Sequence, residues 1–172
     1  MVPSRSYLID ITNKLCLDNR VGHWCQLPYP GHPNGCPNYG KRNICPPYAP
    51  TVTDFFNLHK THWFLIIEFP FRQYLEDMRE KHPSWSERRL RCLLYWQGHI
   101  RKIQYQQIDN FRSQFPETVF SLLPEAMSVN VILTLKRIGV DIEVKPQRKV
   151  LKVALIGYPN PDFLPKLEPC LV

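Results

Sequence analysis

The sequence lacks the glycine motifs with which many enzymes bind nucleotides. It contains neither a P-loop nor the G-x-G-x-x-G fingerprint of a dinucleotide-binding fold. It also shows no motif that pairs a nucleophile with a general base, as hydrolase signatures do. These absences argue against a kinase, a dehydrogenase or a hydrolase. They leave open whether the chain is an enzyme.

The sequence also lacks an apolar segment long enough for a membrane. The most apolar run, residues 63–71, is interrupted by Glu68 and is far shorter than the roughly 20 residues that span a bilayer. Residues 1–15 carry charged side chains rather than the unbroken apolar core of a secretory signal, so we expect no signal peptide. Together these features predict a cytoplasmic protein without membrane contact.

No Cys-x-x-Cys pair occurs, although the sequence contains six cysteines. Such a pair aims two thiolates at one zinc ion from a tight turn, so its absence argues against a zinc ribbon or finger. The closely spaced cysteine run of bacterial ferredoxins is absent as well. In a reducing cytoplasm the cysteines are more often metal ligands or packed thiols than disulfides. We expect ordinary packing of Cys92 and Cys170.

Three of the cysteines lie in a proline-rich loop, residues 24–47. This loop has six prolines and three glycines in 24 residues, a composition that neither a helix nor a strand tolerates. Ten residues separate Cys25 from Cys36, and eight separate Cys36 from Cys45. Each thiolate would therefore come from a different turn of the loop. We predict that these three cysteines bind a metal, with Cys16 as a candidate fourth ligand.

Polar side chains flank these cysteines on both sides. We expect them either to hydrogen-bond to the metal ligands, as side chains around a metal site commonly do, or to bind an anion. The candidates are His23, His32, Tyr39, Lys41 and Arg42.

The apolar pattern beyond the loop predicts an α+β fold. Two runs rich in β-branched and aromatic residues, near 62–69 and 149–157, indicate the strands of a small sheet. A helical period of apolar residues predicts a long helix over about 85–114. A second helix is predicted over about 125–138, where Pro124 and Glu125 suit a helix start. The sheet is expected to pack against these two helices.

The length of 172 residues suits one domain. We predict a single metal-binding domain with three regions, which are a cysteine-rich loop at 16–50, an α/β body at 51–157 and an irregular, proline-rich tail at 158–172. The sequence does not indicate an oligomeric state.

Three short segments of the loop follow a recognisable pattern. His-Trp-Cys at 23–25 is followed by Cys-Pro-Asn-Tyr-Gly-Lys at 36–41 and by Cys-Pro-Pro at 45–47. This pattern resembles that of an uncharacterised family described as predicted metal-binding proteins. Residues 124–143 are similar to a C-terminal segment of that family, although the further cysteine cluster of many members is missing from residues 118–124. The resemblance implies metal binding and implies no reaction.

Two classes of function follow. In the first, the loop cysteines hold an iron–sulfur cluster, with 4Fe–4S favoured, whose open iron handles sulfur or a small substrate. In the second, a structural zinc staples the loop of a non-enzymatic binding module. The net charge of +7 favours an anionic partner for the first class, such as tRNA. The basic residues of the long helix form either an anion-binding face or a merely solvated one.

Overall fold

The protein folds around a four-stranded antiparallel sheet. The computed structural model describes residues 4–28 and 32–162. The strand order is β1-β2-β4-β3, and every neighbouring pair is antiparallel. The strands are β1 (Arg5–Asp10), β2 (His62–Phe69), β3 (Val119–Ser121) and β4 (Val150–Gly157). Together with the helices below, this sheet confirms the predicted α+β fold.

The two predicted strands form the centre of the sheet. β2 and β4 pair over their full lengths, from His62 opposite Gly157 to Phe69 opposite Val150. Strands buried on both faces need apolar side chains at nearly every position, which explains the continuous apolar runs. Gly157 fits this register because a Cβ there would lie 2.8 Å from the His62 ring.

The helices of the described residues are short, apart from α2 and α4. Among residues 4–28 and 32–162, none of the helices combines the length and the apolar character that a membrane span needs. The α-helices are α1 (Val52–Phe55), α2 (Phe71–Lys81), α3 (Glu87–Leu90), α4 (Gln97–Arg112) and α5 (Val131–Arg137). The 3₁₀ helices are Asn19–Gln26, Leu93–Tyr95 and Pro124–Met127.

The sheet separates two apolar cores because successive side chains of a strand point to opposite faces. On one face, Leu65, Ile67 and Phe69 pack against residues of α2 and α4, including Leu75 and Ile100. On the other face, the alternate residues of β2 and β4 pack against α1, α5 and the segment before α5; the buried members include Phe64, Ile66, Phe56, Val129 and Leu135.

The predicted long helix over about 85–114 is broken, and this corrects its N-terminal part. The chain forms α3, the 3₁₀ helix Leu93–Tyr95 and then α4. Both Leu90 and Trp96 are buried, and Trp96 stacks on Phe69 with a centroid distance of 5.3 Å. In a continuous helix the six steps from Leu90 to Trp96 would leave the two side chains about 240° apart around the axis, on different faces. The helix must therefore break for both side chains to be buried in the same core.

The predicted helix over about 125–138 is also divided. Ser128 has a left-handed φ of 68°, which ends the 3₁₀ helix Pro124–Met127. Asn130 then caps α5, because its side-chain oxygen accepts from the backbone N–H of Leu133 at 3.0 Å. Gly139 follows α5 with a φ of 75°, as expected for a residue that ends a helix.

The predicted irregular tail is described only in part. Residues 158–162 contain no helix or strand and are tied to α1 and the turn after it, since Asn57 donates to the Tyr158 carbonyl and Asn160 to that of Phe55. The rest of the tail, with Cys170, lies outside the described residues.

Candidate metal centre

Cys25 is positioned by the 3₁₀ helix Asn19–Gln26. Asp18 caps this helix by accepting from the backbone N–H of Arg20 at 3.0 Å. The hydrogen bonds from the Arg20 side chain and backbone lower the pKa of Asp18 to about 2. The backbone N–H of Asp18 also donates to the Ser128 carbonyl at 2.9 Å. The start of the cysteine loop is therefore fixed to the segment that precedes α5.

Backbone contacts fold the loop onto itself. The N–H of Cys36 donates to the Cys25 carbonyl at 2.6 Å, and the N–H of Gly40 donates to the Pro46 carbonyl at 2.8 Å. Gly35 permits the first contact, because it has a φ of 80° and a Cβ there would lie 2.5 Å from the Cys25 carbonyl oxygen. These contacts bring the three turns that carry the cysteines together.

The three loop thiols lie close enough to influence one another. All are free and partly buried. Burial raises the pKa of Cys25, and the thiols of Cys36 and Cys45 raise it further. Burial and Cys36 likewise raise the pKa of Cys45, whereas the guanidinium of Arg42 lowers it. A cation placed among them would favour the thiolate forms over the thiols.

Thiolates are suitable metal ligands, because they bind zinc and the irons of iron–sulfur clusters. Among residues 4–28 and 32–162, however, no three Cys, His, Asp or Glu side chains form a group that could hold an ion. The thiols therefore approach one another without forming a ready-made site for a single ion in the part of the chain described.

The predicted flanking residues take different positions. His23 and Tyr39 both contact the side-chain amide of Gln26, at 3.2 Å from His23 Nδ1 and 2.8 Å from the Tyr39 hydroxyl. This amide links the helix of Cys25 to the turn after Cys36. Lys41 and Arg42 are exposed, and His32 is exposed with its carbonyl accepting from Gly35.

Cys16 is not drawn into the group of three thiols. Its backbone N–H donates to the Thr134 hydroxyl at 3.0 Å, and its Sγ lies 3.9 Å from the Lys14 carbonyl oxygen. It is not among the groups that shift the pKa of Cys25 or Cys45. Its role as a fourth ligand stays a prediction.

Sequence reasoning did not place Glu125 at this site. Glu125 lies in the 3₁₀ helix Pro124–Met127, which packs against the helix that carries Cys25. Its carboxylate contributes to the raised pKa of Cys25. Burial raises the pKa of Glu125 itself, and the Lys152 ammonium opposes that shift. The one available signal was the resemblance of residues 124–143 to a family segment, because it marked this region as related to the loop.

Lys152 is influenced by charges from both this site and α4. It lies on β4 and is partly buried. Burial lowers its pKa and Arg101 of α4 lowers it further, whereas Glu125 raises it. Electrostatic effects thus link Cys25 with Glu125, Glu125 with Lys152, and Lys152 with Arg101 of α4.

Comparison with known proteins adds one finding. The model of a family described as "Predicted metal-binding protein (DUF2284)" matches residues 12–113. This range includes Cys16 and the three loop cysteines, and it ends before Glu125. No curated protein and no solved structure matches the chain.

Proposed function

The chain belongs to the family of predicted metal-binding proteins (DUF2284), and from this premise we propose that Cys25, Cys36 and Cys45 hold its metal as an iron–sulfur cluster. The observation that carries the proposal is the mutual approach of these thiols. Their effect on one another's pKa is evidence of their proximity. No other cysteine in the described residues contributes to these shifts.

A cluster suits thiols that come from separate turns of a loop. Ligands of one zinc all lie about 2.3 Å from the same atom, whereas the thiolates of a cluster bind separate irons. Ten residues separate Cys25 from Cys36 and eight separate Cys36 from Cys45, so each thiol comes from a different turn. With three protein thiolates, a 4Fe–4S cluster would supply an iron open to sulfur or to another small substrate.

Positive charge near the loop supports an anionic partner for this chemistry. Lys41 and Arg42 are exposed beside Cys45, and Arg101 and Lys102 are exposed on α4. We propose that this charge recruits an anionic or nucleic-acid substrate, with tRNA as the candidate, in the cytoplasm. A gel shift whose affinity falls steeply with salt would support phosphate contacts, and unchanged migration at low salt would refute them.

The alternative is a structural zinc that staples the loop. The described part of residues 16–50 contains no strand and a single 3₁₀ helix, so few regular hydrogen bonds hold it. Structural zinc contributes about 10–16 kcal/mol of apparent binding free energy in small domains, enough to order such a loop. In this case the chain would be a binding module without a reaction.

Elemental analysis of anaerobically purified protein distinguishes these proposals. Iron with acid-labile sulfide and broad visible absorption supports the cluster. About one zinc per chain without iron supports the structural role, because one tetrahedral site holds one ion. Protein that contains neither iron nor zinc, both as purified and after reconstitution, would refute both proposals.

Substitution of single cysteines tests the ligand assignment. We expect Cys25→Ser, Cys36→Ser and Cys45→Ser each to lose most of the bound metal, because a hydroxyl replaces a thiolate ligand. Cys92→Ser is the matched control, since Cys92 is also free and partly buried but lies before the 3₁₀ helix Leu93–Tyr95. Equal metal content in all four variants would contradict the assignment.

A further inference from the structure

The first strand of the sheet has an outer edge with unpaired backbone groups. β1 comes first in the order β1-β2-β4-β3, so its one described neighbour is β2. The N–H of Ile11, just after β1, donates to the His62 carbonyl at 2.9 Å. Because the backbone groups of a strand point alternately to either side, those of Ser6, Leu8 and Asp10 point away from β2. In the described part of the chain, no backbone group pairs with them on that side.

β1 lacks the features that usually protect an edge strand. Natural edges are often very short, bulged or occupied by proline or lysine. The opposite edge of this sheet is short, since β3 has three residues. β1 has six residues, contains no proline or lysine, and pairs with β2 without a bulge. Tyr7 is 39% exposed and Leu8 is 47% exposed, so the edge is suited to pair with another strand.

Both faces of β1 carry apolar side chains. Leu8 pairs with Leu65, which packs in the core formed with α2 and α4. Tyr7 pairs with Ile66, which packs in the core on the other face of the sheet. A strand added beside β1 therefore needs apolar residues at adjacent positions, so that one meets Leu8 and the other meets Tyr7.

β1 itself meets this requirement in one antiparallel register. A two-fold axis perpendicular to a sheet keeps every side chain on its own face, so the pairing must centre on a residue rather than between two residues. Centred on Leu8, the pairing places Leu8 opposite Leu8 and Tyr7 opposite Ile9, which gives apolar contacts on both faces. Centred on Tyr7, it would place Leu8 opposite Ser6 and Ile9 opposite Arg5. The register centred on Leu8 is therefore the better match.

The charges of β1 are compatible with this register. Ser6 lies opposite Asp10, whose Oδ1 accepts from the Thr12 N–H at 2.8 Å, so Oδ2 can accept from the Ser6 hydroxyl of a second copy. No two like charges are directly opposed. The charges of Arg5 and Asp10 cancel, so the edge is neutral although the chain carries a net charge of +7. Repulsion between two copies is therefore spread over the remaining surface, where salt screens it.

We propose that β1 pairs antiparallel with β1 of a second copy of this chain, centred on Leu8, and joins two four-stranded sheets into one sheet of eight strands. The outward backbone groups of β1 then all have partners, and Tyr7 of each copy packs beside Ile9 of the other. The inference goes beyond the proposed metal function and does not rest on it, because no loop cysteine takes part in the pairing.

The test measures the mass and the dissociation constant of the protein in solution. Analytical ultracentrifugation is run over a concentration series in reducing buffer, which excludes intermolecular disulfides. We expect wild type to shift from the mass of one chain, 20.4 kDa, to twice that mass. Leu8→Lys places two ammonium groups opposite each other at the two-fold axis. Its dissociation constant should therefore rise at least about tenfold.

Leu94→Lys is the matched control for this variant. Leu94 is 88% exposed on the 3₁₀ helix Leu93–Tyr95, and the substitution makes the same change in charge and in side chain. Because Leu94 is outside the proposed interface, we expect Leu94→Lys to dimerise as wild type does.

A mixture of two variants tests the register and shows that the variant chains are folded. We expect Leu8→Asp alone to dimerise as weakly as Leu8→Lys. An equimolar mixture of the two should dimerise more tightly than either, because opposite charges then meet at the axis. A misfolded chain could not give this rescue. The corresponding mixture of Tyr7→Lys with Tyr7→Asp should give none, since Tyr7 lies opposite Ile9.

Three results would overturn the inference. A wild type that stays monomeric up to about 100 μM would show that β1 has no second copy beside it in the micromolar range. Loss of the dimer in Leu94→Lys but not in Leu8→Lys would place the interface on the 3₁₀ helix Leu93–Tyr95. A Leu8 mixture that dimerises no better than its components would exclude the proposed register.

Discussion

Replacing Gly35 by alanine should disrupt the contact between Cys25 and Cys36. A Cβ at Gly35 would lie 2.5 Å from the Cys25 carbonyl oxygen and 2.8 Å from the Cα of Gln26, and all of these are backbone positions. Backbone atoms cannot rotate away as the end of a side chain can. The loop must therefore open at the hydrogen bond that joins Cys36 to Cys25.

Gly40 provides a control that separates steric conflict from backbone conformation. Both glycines have positive φ, 80° at Gly35 and 67° at Gly40, but a Cβ on Gly40 would meet nothing within 4 Å. A left-handed alanine costs about 1–2 kcal/mol, and this cost applies to both variants. Overpacking adds about 1–3 kcal/mol, and this cost applies to Gly35→Ala alone. The difference between the variants should therefore be about 1–3 kcal/mol.

Urea unfolding of the metal-free proteins measures this difference from the midpoints at a common slope. The metal content of each variant as purified gives a second measure, because opening between Cys25 and Cys36 separates two proposed ligands. We expect Gly35→Ala to lose most of its metal and Gly40→Ala to keep it. Equal unfolding midpoints together with equal metal content would refute the steric argument.

Two further predictions concern the cap of α5 and the turn that precedes β4. Asn130→Ala should lower the free energy of unfolding by about 1 kcal/mol in urea titration, because it removes the cap of α5; an unchanged midpoint would contradict that role. Glu143 accepts from the backbone of Arg148 and Gln147, and these bonds lower its pKa from 4.5 to about 2. Its contribution to stability is present above about pH 4.5 and is lost as the pH falls towards 2, so Glu143→Gln should flatten the fall of Tm across that range. An identical fall in wild type and variant would exclude this contribution.

The two central strands could be predicted from local sequence, and the local pattern also suits α2. Residues 62–69 and 150–157 are apolar at almost every position, which suits the two central strands of a covered sheet. α2 lies between Pro70 and Pro83 and keeps its apolar side chains on one face. In these segments the local pattern and the tertiary packing favour the same structure.

The break before α4 could not be predicted from the pattern. Leu93 and Trp96 continue the apolar spacing of a helix, yet Leu93 is exposed while Trp96 is buried against Phe69. Only the position of β2 determines which of them enters the core. A continuous helix and the broken one fit the same apolar periodicity, so packing against β2 decides between them.

In the candidate site, too, some residues are marked by local sequence and others only by tertiary structure. Composition, spacing and resemblance all apply within residues 24–47 and make the loop cysteines candidates, and their role as ligands stays a prediction. Glu125 could not be assigned to the site, because its position depends on the pairing of Leu17 with Val129. A carboxylate after a proline also suits an ordinary helix start, so its local sequence carries no sign of a distant partner.

The pairing of Asp18 with Ser128 bears on when the metal can be acquired during synthesis. Cys45, the last of the loop cysteines, leaves the ribosome 83 residues before Ser128 does. At about 5–20 residues per second, this leaves about 4–17 s in which the loop cysteines are present without their docking segment. Over that interval the nascent thiols are held by no tertiary contact with residues 124–130. For the proposed centre, we therefore expect metal to be acquired after this docking rather than on the growing chain.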